Sequence, residues 1–446
     1  MAVILPLQGI RYASARTVDL TQLVAPPYDV VDEAGRDLLV SQNPHNILAL
    51  ELPKADPPGG PETAKYACAK RLYDAWLSEK ILVRDEEPAV YPYTICFSVN
   101  GLSFQRKGFI ALVGIESWES RVVRPHEQTF NKVTEDRLKL LRSTEAQFSQ
   151  VFALYRHSDE AASILTETKQ EEISALTDDY GNSHTLSRIT DKQALRALHQ
   201  ALSQSILYIA DGHHRYTTAL KYRTDMEARC GRNPRKAFNY LMTYLVDAED
   251  PGLMVLPTHR IVAAPAGLDL TSVRTAALQL FDREEIPGAQ AMEPDRLSAK
   301  MSQALSASPD RRGLGVFSGA DRKAEIWWLR ENAASEYAAE RLPGALAELD
   351  VVLLEEAVLK RIYRIDPHSL VAGETVRYSA EGGEALRNTR PGETLFFLRP
   401  TPVNQVLDIA DAGLTMPHKS TFFYPKILTG LVMNAVNSNG TVQIFD

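Results

Sequence analysis

A strand, a sharp turn and a helix are written into Ser205–Leu220. Ser205-Ile206-Leu207-Tyr208-Ile209-Ala210 is a short apolar run of strand type. Asp211-Gly212 breaks it, and Tyr216, Ala219, Leu220 and Met226 then recur at a spacing that puts them on one helical face. Asp211 is expected to cap that helix, and Gly212 to let the backbone or a ligand come close. A helix that starts this way points N–H groups and a positive dipole end at whatever lies above it. Such an end suits an anion, and here it also carries His213, His214 and Arg215. The same residues also suit a capped helix with solvated histidines.

The chain has 446 residues, too many for one ordinary core, so two or three lobes are expected. Hydrophobic residues make up 44% and charged residues 24%, the balance of a soluble globular protein. A net charge of -8 argues against a general nucleic-acid or membrane-surface partner. No apolar run approaches the roughly 18 residues of a membrane span. Met1–Pro6 lacks the basic region of a signal peptide. Cys68, Cys96 and Cys230 are far apart and make neither a disulfide framework nor a thiolate zinc site, which fits a reducing cytoplasm.

Ala25-Pro26-Pro27-Tyr28-Asp29-Val30 must run extended, because paired prolines exclude regular helix and central strand. Asp56 to Gly60 is a break. Residues 61–80 read as a helix burying Tyr66, Ala69, Leu72, Tyr73, Trp76 and Leu77. Ala89–Val99 and Ser103–Ile115, joined at Asn100-Gly101, predict a hairpin. Helices are expected from about Thr134, over 191–204 and near 270–281, 294–306 and 345–361. Leu314–Phe317, Glu325–Leu329 and Thr394–Leu398 read as strands, and Val403–Ala410 as a short helix. Ala263 to Gly267 breaks the pattern. The expected division is a catalytic lobe over 1–265, an accessory or lid domain over 266–390, and a C-terminal segment, 391–446, that returns to the catalytic lobe. Mixed elements without a βαβα rhythm predict an α+β fold rather than a doubly wound sheet.

Four constellations offer chemistry. In Asp211–Arg215, Arg215 suits bidentate binding of phosphate or carboxylate, and the imidazoles suit phosphate oxygens or a metal. In Arg124-Pro125-His126-Glu127-Gln128-Thr129, the Glu127 carboxylate suits a general base or an Mg²⁺ ligand, with His126 beside it to tune it, though an exposed charged loop reads the same way. Met416–Lys426 brings His418, Lys419, Ser420 and Thr421, an ammonium and hydroxyls for phosphate without the glycines of a P-loop. Leu256–Arg260 carries His259 and Arg260 after a strand-like run, and equally suits a plain strand end. No G-x-x-x-x-G-K-[ST], H-E-x-x-H or G-x-S-x-G occurs.

Taken in order, Ala25–Val30, Pro125-His126-Glu127 with Thr129, Ala210–Arg215, Leu256–Arg260 and Met416–Lys426 resemble the domain-of-unknown-function-1015 family, over nearly the whole chain. The Asp211-Gly212-His213-His214-Arg215 run is similar to that of the ParB/sulfiredoxin superfamily, and in particular to the free serine kinases of archaea. That resemblance implies a ParB/sulfiredoxin-like nucleotide-binding core with large insertions and additional lobes. It implies that Asp211 is catalytic, that Gly212, His213, His214 and Arg215 bind nucleotide phosphates, and that a separate glutamate acts at the substrate hydroxyl. Glu127 is the candidate for that glutamate, and Asp29 the next.

The function expected is that of a cytoplasmic kinase. It would move a phosphoryl group from ATP or ADP, with Mg²⁺, to free L-serine or a similar small hydroxy compound. Its partners would be nucleotide and small-molecule substrate, with no nucleic acid and no membrane. Two alternatives stay open: a ParB-like nucleotide-dependent regulatory switch, and a metal-dependent hydrolase built on His126, His213, His214, His259 or His418.

Overall fold

The computed structural model describes every residue except 14–18, 57–58, 62, 266, 269, 334–341, 366–374, 438 and 446. Pro57 and Pro58 of the first expected break, and Ala266 of the second, therefore lie outside the described residues. The fold is mixed α+β, as the irregular element order predicts. The chain forms two compact units: Met1–Pro125 with Thr129–Met254 and Pro425–Asp446, and His126–Gln128 with Val255–Tyr424. The C-terminal stretch is thus shared, with 391–424 in the second unit and 425–446 in the first. Among the described residues no helix is long and apolar enough to cross a membrane.

The first unit is built on a nine-stranded sheet. Its strands run in the order Val123–Arg124, Leu207–Asp211, Val151–Tyr155, Tyr240–Asp247, Leu102–Gly114, Tyr91–Val99, Ser183–Arg188 and Glu171–Thr177, with Ile4–Leu5 added to Leu102–Gly114. The predicted hairpin is its backbone. Asn100 and Gly101 take φ of 52° and 78°, the two left-handed positions a tight hairpin turn needs. One face packs Phe109, Ala111, Val113, Leu207, Ile209 and Leu245 against Leu195, Leu198, Tyr216 and Ala219 from helices Lys192–Leu202 and His213–Cys230. Helix Ala64–Ser78 buries Tyr66, Ala69, Tyr73 and Trp76, the face read from the sequence, in a second cluster with Ile47, Leu50 and Phe148. That cluster anchors the Ala25–Asp29 segment, whose Ala25 pairs its backbone with Thr429.

The second unit holds a six-stranded antiparallel sheet in the order Phe281–Glu285, Ala324–Leu329, Gly313–Ser318, Glu393–Phe397, His259–Ala263 and Val376–Ser379. Alternation sorts its side chains between two cores. Val262, Val316 and Trp327 enter one, and Ile261, Phe317 and Trp328 the other. Helix Pro294–Ser306 covers the second core. The helix expected over 345–361 is instead three pieces, Gly344–Ala347, Asp350–Leu353 and the π-helical Leu354–Lys360. Leu349 interrupts it in extended backbone, with its side chain buried in the core.

Candidate functional site

Strand Leu207–Asp211 delivers Asp211 to the start of helix His213–Cys230. Its pairing shifts register between Ile209, opposite Ala153, and Asp211, opposite Phe152, so Ala210 is an extra residue. Such bulges re-aim the next side chain and recur beside active sites. The helix cap is Gly212, at φ 92° and ψ 29°, and no side chain caps the helix. This corrects the expectation that Asp211 caps. The left-handed turn at Gly212 leads straight from the last strand residue into the helix, and the Asp211 carboxylate takes Lys426 instead, with Nζ donating at 2.6 Å. A side chain at Gly212 would be strained, and its Cβ would sit 2.9 Å from Arg215 Nε.

Arg215 is 8% exposed, one turn into the helix. Its Nη1 donates to the Gln150 carbonyl. Its Nη2 lies 3.5 Å from an Asp211 carboxylate oxygen, a charge contact without hydrogen-bond geometry. Nε and Nη2 are both buried with no hydrogen-bond partner. Burial pulls the Arg215 pKa down, but Asp211, Asp29, Tyr28 and Glu51 outweigh it, and the guanidinium is held more firmly protonated than usual. The Pro26-Pro27-Tyr28-Asp29 segment therefore belongs to the same electrostatic neighbourhood, with Asp29 itself exposed.

Arg215 also lines a cavity of about 50 Å³ with Glu51, Arg137, Ser149 and Thr218. Glu51 is buried, accepts a hydrogen bond from Ser149 Oγ at 2.9 Å, and has its backbone carbonyl bonded by Arg137 Nη1 at 2.6 Å. Burial raises the Glu51 pKa against the pull of Arg137, Ser149 and Arg215. Arg137 stacks over the Tyr28 ring at 4.5 Å. His213 is buried, and His214 Nε2 accepts from the Phe130 N–H at 3.0 Å. A neutral His214 then carries its proton on Nδ1.

The remaining sequence candidates belong to the second unit. His126 is buried and its Nε2 lies 3.1 Å from Thr421 Oγ1. Glu127 bridges in parallel to Met416, whose N–H donates to the His126 carbonyl at 2.8 Å. Ser420 Oγ donates to the Pro417 carbonyl at 2.6 Å. Lys419 holds a left-handed backbone, φ 57°, and its carbonyl accepts from Arg260 Nη2 at 3.1 Å, as does that of His418 at 3.3 Å. His259 stacks on Phe397 with centroids 3.8 Å apart, and its Nδ1 accepts from the Leu398 N–H at 3.1 Å. Burial first, then Arg260, lowers the His259 pKa to about 3. Among the described residues no group of three or more His, Cys, Asp or Glu is placed to hold a metal ion.

Lys426 and Gln150 were not singled out from the sequence, although Lys426 closes the Met416–Lys426 motif. A pair 215 positions apart leaves no periodic trace.

The family model described as "Protein of unknown function (DUF1015)" matches residues 4–352. The chain belongs to that family. No curated protein matches it. Among solved structures it is similar to a mutant free serine kinase in complex with ADP, at 10% identity and TM-score 0.32, over 72% of this chain and 88% of that one. It is also similar to a C-terminally truncated SbnI from Staphylococcus aureus, at 10% identity and TM-score 0.36, over 72% and 86%. A conserved hypothetical protein from Pyrococcus furiosus matches at 12% identity and TM-score 0.32, over 68% and 88%.

Proposed function

We propose that this DUF1015 protein is a nucleotide-dependent phosphotransferase. It would transfer a phosphoryl group from ATP or ADP to the hydroxyl of free L-serine or a similar small compound. One observation carries the reading: Arg215 is buried with two guanidinium nitrogens that make no hydrogen bond, at the start of a helix entered through a left-handed glycine. A buried donor without a partner costs about 1–3 kcal/mol, so two on one residue call for an acceptor. A phosphate oxygen is the acceptor that also matches a helix N-terminus and a charge held firmly positive. The acceptor alcohol follows from the resemblance of Asp211–Arg215 to the free serine kinases.

In this reading Gly212, His213 and His214 present the helix start to the phosphates, and Arg215 grips them. Asp211 accepts the hydroxyl proton as the oxygen attacks phosphorus and the bond to the leaving nucleotide breaks. Lys426, at 2.6 Å, favours the ionised carboxylate a base requires. Asp29 is the further carboxylate on the same unit. Mg²⁺ would come with the nucleotide and would offset charge on its phosphates, with waters and a carboxylate such as Asp29 completing its oxygen ligands. The phosphate contact we assign uses first-unit residues only; Glu127, Lys419, Ser420 and Thr421 lie in the second unit. We place the activity in the cytoplasm, where Cys68, Cys96 and Cys230, none in a disulfide, stay reduced.

The test is nucleotide turnover by the full chain with and without L-serine, with phosphorylated product followed in parallel. Serine-stimulated nucleotide loss matched by O-phosphoserine is expected. Nucleotide bound or hydrolysed with no response to any small alcohol would leave a regulatory switch and end the kinase reading.

A further inference from the structure

We propose that Gln150 is a positioning residue that sets Arg215 and Lys426 around Asp211, with Arg106 securing the other end of the segment that carries Lys426. Gln150 makes two bonds in two directions. Its backbone carbonyl accepts from Arg215 Nη1, and its side-chain Nε2 donates to the Leu428 carbonyl at 3.0 Å. It is 1% exposed, so neither bond competes with bulk water. Register explains its reach. Phe152 lies opposite Asp211 across the bulged strand pair, and Gln150 sits two residues before Phe152.

Pro425–Leu428 is gripped at both ends. Leu428 is held by Gln150 through its carbonyl, and its N–H points to the Tyr93 hydroxyl at 3.5 Å. At Pro425, Arg106 Nη2 donates to the carbonyl at 2.8 Å. Arg106 is fully buried, with its guanidinium 5.0 Å from the Phe152 ring centroid and 5.7 Å from that of Tyr244. Burying a cation is expensive, and an apolar side chain would pack the same space at lower cost. One thing the guanidinium adds is a fixed direction for the Pro425 carbonyl. Between the two grips Lys426 reaches Asp211, to which its Nζ donates at 2.6 Å.

The purpose of this clamp rests on the phosphotransferase reading, since an ion pair held this way keeps Asp211 ionised for proton transfer. The clamp itself does not, and the experiment separates the two. Amine acylation of the full chain is followed by mass spectrometry, with Lys426 normalised to the exposed Lys169 of the same molecule. Gln150→Met keeps the length of the side chain and removes the amide. Lys426 labelling should rise about fivefold at a fixed pH, the scale of one lost hydrogen bond, while Lys169 labelling holds. Arg106→Met should do the same. Asp211→Asn, which removes the partner itself, sets the upper limit of labelling. If Gln150→Met does not fold, Tyr93→Phe removes the other bond at Leu428 and should give a smaller rise. Wild-type labelling of Lys426 in the folded variants would overturn the proposal, whether or not the chain binds nucleotide. Raised labelling in a chain that binds none would keep the clamp and remove the phosphotransferase reading.

Discussion

Arg215 in the first unit and Arg260 in the second are both buried, and both follow the end of a chemistry-bearing motif. They do opposite things with their donors. Arg260 gives its guanidinium to three backbone carbonyls, those of Thr258, His418 and Lys419, and burial lowers its pKa to about 10. Arg215 bonds one carbonyl, keeps two buried nitrogens without a hydrogen-bond partner, and has its charge reinforced by Asp211, Asp29 and Glu51. A buried cation with its donors committed to carbonyls pins a loop. One with donors left over keeps the hydrogen-bonding capacity that the proposed phosphate would use. Arg-rich motifs that look alike in sequence separate on this count.

The largest expected effect breaks the chemistry and leaves the pin intact. Asp211→Asn is nearly isosteric and, because Gly212 is the cap, disturbs no helix cap. Serine-dependent turnover should fall about 100-fold or more, the scale of a lost general base. Wild-type turnover in a folded variant would make Asp211 only a partner for Lys426. The complementary change is Arg260→Lys. An ammonium cannot reach three carbonyls from one fork, so the second unit should lose about 2–3 kcal/mol of stability to urea while nucleotide affinity stays put. A drop in nucleotide affinity with no loss of stability would invert the comparison.

His259, beside Arg260, makes the difference between the units visible in pH. Its folded pKa is lowered to about 3 from an ordinary 6.5, so the folded ring is neutral where the unfolded one takes a proton. Its contribution is complete above about pH 6.5 and is lost as pH falls towards 3, at up to about 1.4 kcal/mol per pH unit. His259→Asn, which keeps an acceptor for the Leu398 N–H, should flatten that slope in unfolding followed by Trp327 and Trp328 fluorescence. An unchanged slope would place the titration elsewhere.

The smallest effects come from the two left-handed turns. Gly212→Ala adds a Cβ at φ 92° and against Arg215, so about 1–2 kcal/mol of stability should be lost and nucleotide binding weakened with it. Lys419→Gly relieves the opposite situation, a non-glycine at φ 57°, and the melting temperature should hold or rise slightly. Equal losses at both positions would show that the turns serve the same end.

What the sequence made legible was local. Asn100-Gly101 names its own turn, and Tyr66, Ala69, Tyr73 and Trp76 name their helix face. Strand Leu207–Asp211 and the helix after Gly212 follow from the change of period at Asp211. Central strands were harder. Val151–Tyr155 is buried at every position, and a continuous apolar run has no alternation to read. The cap was misread because Asp is a better capping residue than Gly in isolation, and only the structure shows that carboxylate turned to Lys426. The Asp211–Arg215 run stands out as a candidate from its residue types alone. The residues packed around it, Gln150, Glu51, Arg137 and Lys426, do not, because each comes from far along the chain.

In the proposed reading, the two Arg215 nitrogens that make no hydrogen bond hold a nucleotide phosphate. Calorimetric titration of the full chain with ADP and with ATP, each with Mg²⁺, tests it directly when wild type and Arg215→Lys are run side by side. We expect binding by the wild type and an affinity weaker by about tenfold or more in Arg215→Lys, since an ammonium lacks the planar fork. Equal affinity in the two folded proteins, or no binding by either, would contradict it.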